Sequence, residues 1–594
     1  MSYFLVLSET HGGSVLSHYQ RLRSEGRLCD VELVAGGGAS FPAHRSLLAC
    51  SSDYFWSLFQ EHTHEFQART LHLPALSDKG LQHILDFIYT SWLSLSISTL
   101  EDILEAACYL QVTCAIQLCS CYIANNLSPD NCCFFANVAA RYGMDDALSA
   151  TNLFIASRMG EFLAPGSGGG DQVGLLELNA DSLRALLRAE EMSGVQELSL
   201  LSLLLDWLDR HKLTSVRSNL LLSNIRFALV PPKELTRLHA ARPALQTPFV
   251  KSLVFKALEY HQQGPCQPLL QATQSTLRTS TAQVLLVGGG PEADHPEREV
   301  LTFNPQSRKF RSLTQLPHRI QHHCVCVLGN FLFVLGGEMV EVDESEKVTA
   351  RVVTGQVWRY DPRFESWEVA AQMGERRVRF SCCVAEGVIH AIGGHGGSEG
   401  QKEVVLDSVE TYDMQADCWR RGVALPLCVH GQACATHGTA IYISGGMHGD
   451  QQESSKEVYV LEFRGSQWEK RAPMSIARYG HQMATVRDRI YAFLGMHEPF
   501  CDIEQFDPAQ NEWTRLRPLF HDRFCYGLVP LPPTQGGKVL LIGGRKWHNA
   551  QEVATPNVLE YDVESDSWRE VCKLPKPLSG AQCALMHIPD PTEM

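Results

Sequence analysis

The densest run of soft-metal ligands in the chain is His318, His322, His323, Cys324 and Cys326. Imidazole nitrogens and thiolates at short spacing are the donors zinc takes. Along an extended strand, however, successive side chains point to opposite faces, and no Cys-x-x-Cys pair partners the run, so no metal is expected there. Cysteine is abundant, with 20 residues spread through both halves of the chain. That distribution fits reduced thiols in a cytoplasmic or nuclear protein. Cys119, Cys121, Cys132 and Cys133 are the candidates for redox or electrophile sensing, set against the ordinary role of free cysteine as a small buried hydrophobe. The sequence contains no P-loop, dinucleotide fingerprint, nucleophile elbow or HExxH. It reads as a non-enzyme that needs no cofactor.

The other chemistry on offer is recognition of anions. Arg319, His322, Arg377, Arg379, His430, Arg478, Tyr479, Arg523 and Phe524 stand in segments that lead into apolar strands. If those segments converge, their guanidinium forks can meet carboxylates bidentately. The chain as a whole is acidic, with 66 Asp and Glu against 51 Lys and Arg. A basic mouth on an acidic body focuses acidic partners locally. No long basic stripe exists, so direct nucleic-acid binding is not expected. Membrane insertion is not expected either, since the leucine-rich stretch from Leu198 to Leu208 is broken by serines and Asp206. Met1 to Leu7 is too short, and lacks the basic start, for a signal peptide.

The elements that must position these side chains are repeats. Glycine doublets close apolar segments at Gly288-Gly289, Gly336-Gly337, Gly393-Gly394, Gly445-Gly446, a degenerate Leu494-Gly495, and Gly543-Gly544. Their spacing of 48 to 57 residues is the blade length of a β-propeller. Each doublet is followed by an aromatic (Phe303, Tyr360, Tyr412, Phe463, Phe506, Tyr561), in most repeats by an Asp or Asn turn, and then by an anchor: Phe310, Trp367, Trp419, Trp468, Trp513 or Trp568. The glycine strands are expected to be the inner strands. The anchors are expected to fill the wedges between sheets. The first repeat lacks its opening strand while Gln582 to Ile588 supplies a spare one, so the ring is expected to close there.

The first half is Leu-rich and helical in pattern. Val31, Leu33 and Phe41 around Gly36-Gly37-Gly38 read as a hairpin. Helices are expected over Ser46–Phe59, Asp78–Tyr89, Thr99–Leu110, Ala115–Asn125, Phe134–Tyr142, Ala147–Arg158, Ser182–Arg188, Glu197–Arg210 and Asn219–Val230. Ser77, Ser98 and Ser128 are the candidate N-caps, the last with Pro129 at the first helical position. Pro165 to Asp171 reads as a flexible insertion. The long segments Glu338–Thr354 and Gly396–Asp407 read as specificity-setting loops.

Cys29-Asp30-Val31-Glu32-Leu33, then Phe41-Pro42-Ala43-His44-Arg45-Ser46-Leu47-Leu48-Ala49 and Tyr54-Phe55, resemble the BTB (POZ) domain. Asn131-Cys132 after Leu127-Ser128-Pro129, with Leu204 to Trp207 and Ile225-Arg226-Phe227, resemble the BACK domain. With the repeats, the whole chain resembles the kelch-like family of BTB–BACK–kelch proteins. The resemblance implies an N-terminal extension (1–19), an α/β BTB domain (20–126), a helical BACK domain (127–262), a linker (263–280), a six-bladed kelch propeller (281–589) and a short tail (590–594). It also implies a homodimer that bridges the N-terminal domain of cullin-3 in a RING ubiquitin ligase to a protein substrate held on the propeller. The implied cullin contacts are Tyr54, Phe59, Glu65 and Phe134. Asp30 and His44 match the family's buried polar pair, read as maintaining the fold. In the family's hydrophobic-X-Glu motif, here Thr63-His64-Glu65, the hydrophobic member is a threonine. A dimeric scaffold of cytoskeleton or transcription complexes, with weak or no cullin binding, is the alternative to which Thr63 points.

Overall fold

The structure, a computed structural model, describes residues 10–61, 63–164, 174–192, 194–279, 281–292, 295–343, 345, 347–397, 404–449, 453–462, 464–496, 501–548 and 551–589. The Pro165–Asp171 insertion, Phe463, and residues 398–403 of the second long loop lie outside the described residues. The chain divides into two compact units, one made of the residues up to 225 except Gln196–Leu198, the other of those three and residues from Arg226 to Pro591.

The first unit opens with α1 (His11–Ser24), a helix with no buried residue, most of it in the segment read as an extension. The expected hairpin forms from β1 (Val31–Ala35) and β2 (Ser40–Ala43). A third strand, β3 (Thr70–Leu73), pairs with β1 in parallel. Sequence reading missed β3 because its Thr-Leu-His-Leu alternation is only four residues long. The helix expected over Ser46–Phe59 is two, α2 (Arg45–Ser51) and α3 (Asp53–Leu58), because Ser52 takes an extended conformation and its hydroxyl accepts the Phe55 N–H. Ser77 caps α4 (Asp78–Thr90) as expected, accepting the Gly80 N–H at 3.0 Å. Thr99, not Ser98, precedes α5 (Leu100–Tyr109). After α6 (Thr113–Asn125), Ser128-Pro129 form a turn rather than a cap, and α7 starts at Cys132 behind Asn131. Strands and helices share one core, from Leu33 and Phe55 through Leu85 and Leu104 to Phe135, all fully buried.

The second unit carries six four-stranded antiparallel sheets. The glycine strands are second, not innermost. Each blade instead begins with the strand before its glycine strand: Cys324–Leu328, Ser381–Ala385, Ala433–His437, Gln482–Val486 and Gly527–Pro530 in blades 2 to 6, and Gln582–His587 in blade 1. These six strands touch their neighbours in a closed ring. Closure is as expected: Gln582–His587 pairs with β4 (Ala282–Val287), joining the two ends of the ring in one sheet.

The repeat residues splice blade to blade. The second glycine donates its N–H to the carbonyl that opens the next blade: Gly337 to Arg377 at 2.7 Å, Gly394 to Val429 at 2.8 Å, Gly446 to Arg478 at 2.9 Å and Gly544 to Leu578 at 2.8 Å. Gly337 holds φ 97°, and a Cβ there would sit 2.8 Å from Gln321 O, so no other residue fits. On the outside, indole N–H groups reach back to the preceding blade, Trp419 to Ala371 O, Trp468 to Val423 O and Trp513 to Ala472 O at 2.8 to 2.9 Å. The turn acids behave as read; Asp413, for example, accepts the N–H groups of Gln415 and Ala416.

The segment read as a linker is built into this unit. Arg278 meets Glu197 in two bonds of 2.9 Å, both side chains buried, and Glu197 also accepts the Arg226 N–H. Arg363 lies between the Phe331 and Tyr260 rings, bonded to Asp361 at 2.5 Å and Gln267 at 3.1 Å. Within the long segment of blade 2, Glu338–Val342 and Val348–Val353 pair antiparallel. A stop codon after Ser579 removes the closing strand and leaves the β4 edge unpaired. Such a chain should lose the cooperative unfolding transition of the propeller, whereas a stop after Pro589 should leave it intact; calorimetry of the two truncations decides.

Candidate functional site

Two surfaces collect the residues singled out by sequence. The first is a cavity of about 620 Å³ on the propeller axis. His322, Arg379, His430, Tyr479 and Phe524 line it, as expected, joined by Cys525, Met496 and Arg545. Arg319, Arg377, Arg478 and Arg523 do not.

Why the arginines divide this way follows from register. Arg377, Arg478 and Arg523 each stand four residues before the innermost strand, and in that position the side chain runs under its own blade. Arg377 is fully buried, donating to Glu410 at 3.0 and 3.2 Å and to the carbonyls of Gly393 and Ser408. Arg478 is likewise buried against Glu504 at 2.5 Å and the carbonyls of Leu494 and Asp502. Neither guanidinium is available to a substrate, which corrects the sequence assignment. The acid sits one place from the end of the paired region on the third strand, opposite Ala391 in one blade and Ala492 in the other. In three further blades the same two positions are apolar or aromatic: Leu578 with Leu301, Ile320 with Trp358, Val429 with Tyr459. Blade 6 breaks the rule. Its arginine is Arg523, but the acid is replaced by Leu559 opposite Leu541. Arg523 is only 4% exposed, and its Nε and Nη1 atoms have no partner. Burial lowers its pKa, with Asp522 and Glu570 pulling the other way. Arg319 is half-buried and ties the blade 2 hairpin through its carbonyl, which accepts the Val340 N–H at 2.9 Å.

The residues that do reach the cavity share a backbone feature. Two places before the innermost strand every blade adopts positive φ: His322 (54°), Arg379 (50°), Gly431 (65°), Gly480 (62°), Cys525 (50°) and Gly580 (75°). Bonds between these residues run around the mouth, from Arg379 N to His322 O, Gly431 N to Arg379 O, Gly480 N to Gly431 O and Gly580 N to Cys525 O. Glycine holds this conformation without strain; a side chain costs about 1 kcal/mol. His322, Arg379 and Cys525 therefore bear a strain that three other blades avoid, and each faces the cavity. Of the three, sequence reading missed only Cys525, which aligning Gly431, Gly480 and Gly580 would have placed at the mouth.

The electrostatics converge. Arg379 in blade 3 and Arg545 in the opposed blade 6 both act on the Cys525 thiol, which burial raises. Arg545 donates to Ser579 at 3.1 Å and lies 3.6 Å from Glu552, while its Nη2 is unpartnered. Burial pushes the imidazole of His323, below the mouth, down to about 4, so it is neutral and donates to Val287 O. The guanidiniums lining the cavity are those of Arg379 and Arg545, and the carboxylates are those of Glu292 and Glu552.

The second surface is on the first unit. Tyr54 rests on Tyr109 with ring centroids 5.3 Å apart, and burial, with the Tyr109 hydroxyl beside it, pushes its own hydroxyl up to about 12. Phe59 lies between the Phe55 ring, stacked at 5.6 Å, and the Arg45 guanidinium at 4.6 Å. Arg45 in turn donates to the Glu65 carbonyl at 3.1 Å. Thr63 has a task of its own: its hydroxyl donates to Leu58 O at 2.6 Å and Gln60 O at 2.8 Å, closing the end of α3. Phe134 is half-buried on α7 against the same core as Tyr54 and Phe59. Trp56, 59% exposed, and Phe66, 41% exposed, add apolar surface that sequence reading missed. Asp30 and His44 do not form a buried pair. Asp30 is exposed and accepts the Arg45 N–H, whereas His44 is buried against the Tyr89 hydroxyl at 2.8 Å.

Compared with known proteins, the BTB/POZ domain family matches residues 19–127, the family described as BTB And C-terminal Kelch matches 132–240, and the Kelch motif matches 376–426, 428–475 and 477–519. Human Kelch-like protein 34 is 44% identical over 99% of this chain and 97% of its own length. Bovine Kelch-like protein 36 is 32% identical over 97% of the chain and 92% of its length, and zebrafish Kelch-like protein 26 is 26% identical over 98% and 94%.

Two substitutions test the reading of the arginines by stability. Arg379→Gly should raise the thermal midpoint of the full chain by the equivalent of about 1 kcal/mol, since the left-handed strain is relieved. Leu559→Glu should also raise it, by about 1 kcal/mol, by giving Arg523 the acid its counterparts have. A lowered midpoint for Arg379→Gly would mean that its side chain packs rather than waits for a ligand.

Proposed function

Since the chain belongs to the kelch-like family of BTB–BACK–kelch proteins, an adaptor and scaffold class rather than a catalytic one, we propose that it is the substrate-recognition adaptor of a cullin-3 RING ubiquitin ligase. The reading rests on one observation: the chain carries two surfaces suited to recognition, an apolar one around Trp56, Phe59 and Phe66 and a cavity on the propeller axis into which Arg379 and Arg545 project, with Glu292 and Glu552 also in its lining. An adaptor needs both. The first is the cullin contact, with Tyr54, Phe59 and Phe134 as its partly buried floor and Glu65 as its acid. The second takes the substrate, whose acidic segment enters between Arg379 and Arg545. Helix α1, none of whose residues is fully buried in one chain, is the element that a second copy covers in a homodimer. Dimerisation doubles the propellers presented and so raises avidity for a substrate with repeated sites. The setting is cytoplasmic or nuclear, where the free cysteines stay reduced.

Thr63 supports the second reading, a dimeric scaffold with weak or no cullin binding. Its hydroxyl is committed to ending α3, so it offers a cullin less apolar surface than a leucine there.

Calorimetry of the full chain against the N-terminal domain of cullin-3 separates the two. The adaptor reading expects saturable binding, weakened about tenfold (~1.4 kcal/mol) by Glu65→Ala. No heat from the wild type moves the protein to the scaffold class. For the cavity, proximity labelling in cells with wild type and Arg379→Gly should show loss of the acidic partners from the variant. Since the variant keeps its fold, an unchanged partner set would remove the cavity from substrate capture.

A further inference from the structure

The floor of the axial cavity is rich in sulfur. At the second position of the innermost strands the six blades carry Val325, Cys382, Cys434, Met483, Leu528 and Cys583, and Cys324 precedes the first of these. All of them except Leu528 line the cavity. The described residues contain no group of His, Cys, Asp and Glu arranged to hold a metal ion. What the thiols do is cross between blades. Cys324 of blade 2 reaches the Phe380 carbonyl of blade 3 at 3.1 Å, and Cys382 of blade 3 reaches back to the Val325 carbonyl of blade 2 at 3.4 Å. Cys434 of blade 4 similarly reaches the Cys382 carbonyl at 3.1 Å. The first two contacts are reciprocal, so the side chains of Cys324 and Cys382 lie beside one another, and both are partly exposed to the cavity.

We infer that Cys324 and Cys382 form an oxidation site, a dithiol that a peroxide admitted through the propeller mouth converts to a disulfide bridging blades 2 and 3. The Cys324 thiol donates to the Phe380 carbonyl at 3.1 Å, a closer contact than the 3.4 Å from the Cys382 thiol to the Val325 carbonyl, so the Cys382 proton is the less firmly held. The neighbouring Cys324 and Cys326 thiols lower the Cys382 pKa while their own are raised. Cys382 is thus the attacking thiolate and Cys324 the resolving thiol. The Cys382 sulfur displaces hydroxide from hydrogen peroxide, giving the sulfenic acid. Cys324 then attacks that sulfur, an S–S bond forms and water leaves. In sum, two thiols give up two electrons and two protons, and one peroxide becomes two waters. Cys326 is buried and does not line the cavity, which leaves Cys324 as the partner with access. The bridge closes two residues from His322 and three from Arg379, so oxidation cross-links the side of the mouth where the proposed substrate contact lies.

The test is titration of the full-length protein with hydrogen peroxide, then non-reducing digestion and fragment-ion mass spectrometry. The expected product is a peptide pair joined through Cys324 and Cys382, formed equally in Cys326→Ala and absent from Cys382→Ser. In Cys324→Ala the sulfenic acid at Cys382 should persist and be trapped by dimedone. Should Cys382→Ser fail to fold, the Cys324→Ala and Cys326→Ala arms still decide. The inference is overturned if Cys382 stays a free thiol while the exposed Cys50 and Cys121 are oxidised, or if its partner is any cysteine other than Cys324. Loss of cullin or substrate binding in other experiments bears on the adaptor reading and leaves this chemistry untouched.

Discussion

The propeller depends on a handover of backbone hydrogen bonds from each blade to the next. A four-stranded sheet of this size cannot cover both of its faces, and burial against its neighbours is what makes it stable. Apolar packing between sheets is not directional and does not fix one angle between them. The bonds do: glycine N–H groups hand over beside the axis, a second set runs around the mouth, and indole N–H groups repeat the handover on the outside. Because each bond needs a defined distance and direction, these repeated bonds set the pitch of the ring. The sequence devices that looked like separate motifs, glycine doublet and tryptophan anchor, are two ends of this one device.

That architecture decides which polar side chains are free. An arginine placed to run beneath a blade is consumed by it, whether by Glu410 or by Glu504, and contributes to the sheet alone. An arginine two residues further on emerges into the cavity, at the expense of a left-handed backbone. Arg377 and Arg379 make the comparison directly, two residues apart in one blade with opposite fates. Chemically identical groups are therefore assigned to structure or recognition by register.

Much of this was legible in sequence. The six repeats and their turns come from patterns local to each repeat, the closing strand from one repeat lacking a strand that the chain's end has to spare, and local patterns survive degeneracy: Leu494 takes φ 48° where a glycine usually stands, and its blade still forms. The Kelch motif family itself matches only three repeats, yet six sheets are present. What was not legible lies in long-range pairing. That Arg377 is spent on Glu410 needs the register of two strands 33 residues apart. The glycine strands read as innermost because they are the most uniformly apolar, but the strands before them, with Cys, Ser and Gln, form the ring. On the first unit, the capping role of Thr63 depends on α3 ending at Leu58. Two short helices were read there as one long one.

The closing strand also sets a schedule for biosynthesis. β4 leaves the ribosome about 300 residues before its partner Gln582–His587. At ~5–20 residues per second that is roughly 15–60 s during which blade 1 has no innermost strand and its apolar edge is open. Blades 2 to 6 can pair internally as they emerge, but the ring cannot shut until the final strand arrives. An exposed strand edge of this kind is a template for pairing with other chains. For about half of its translation the nascent chain therefore carries one strand edge whose only intended partner has not yet been made.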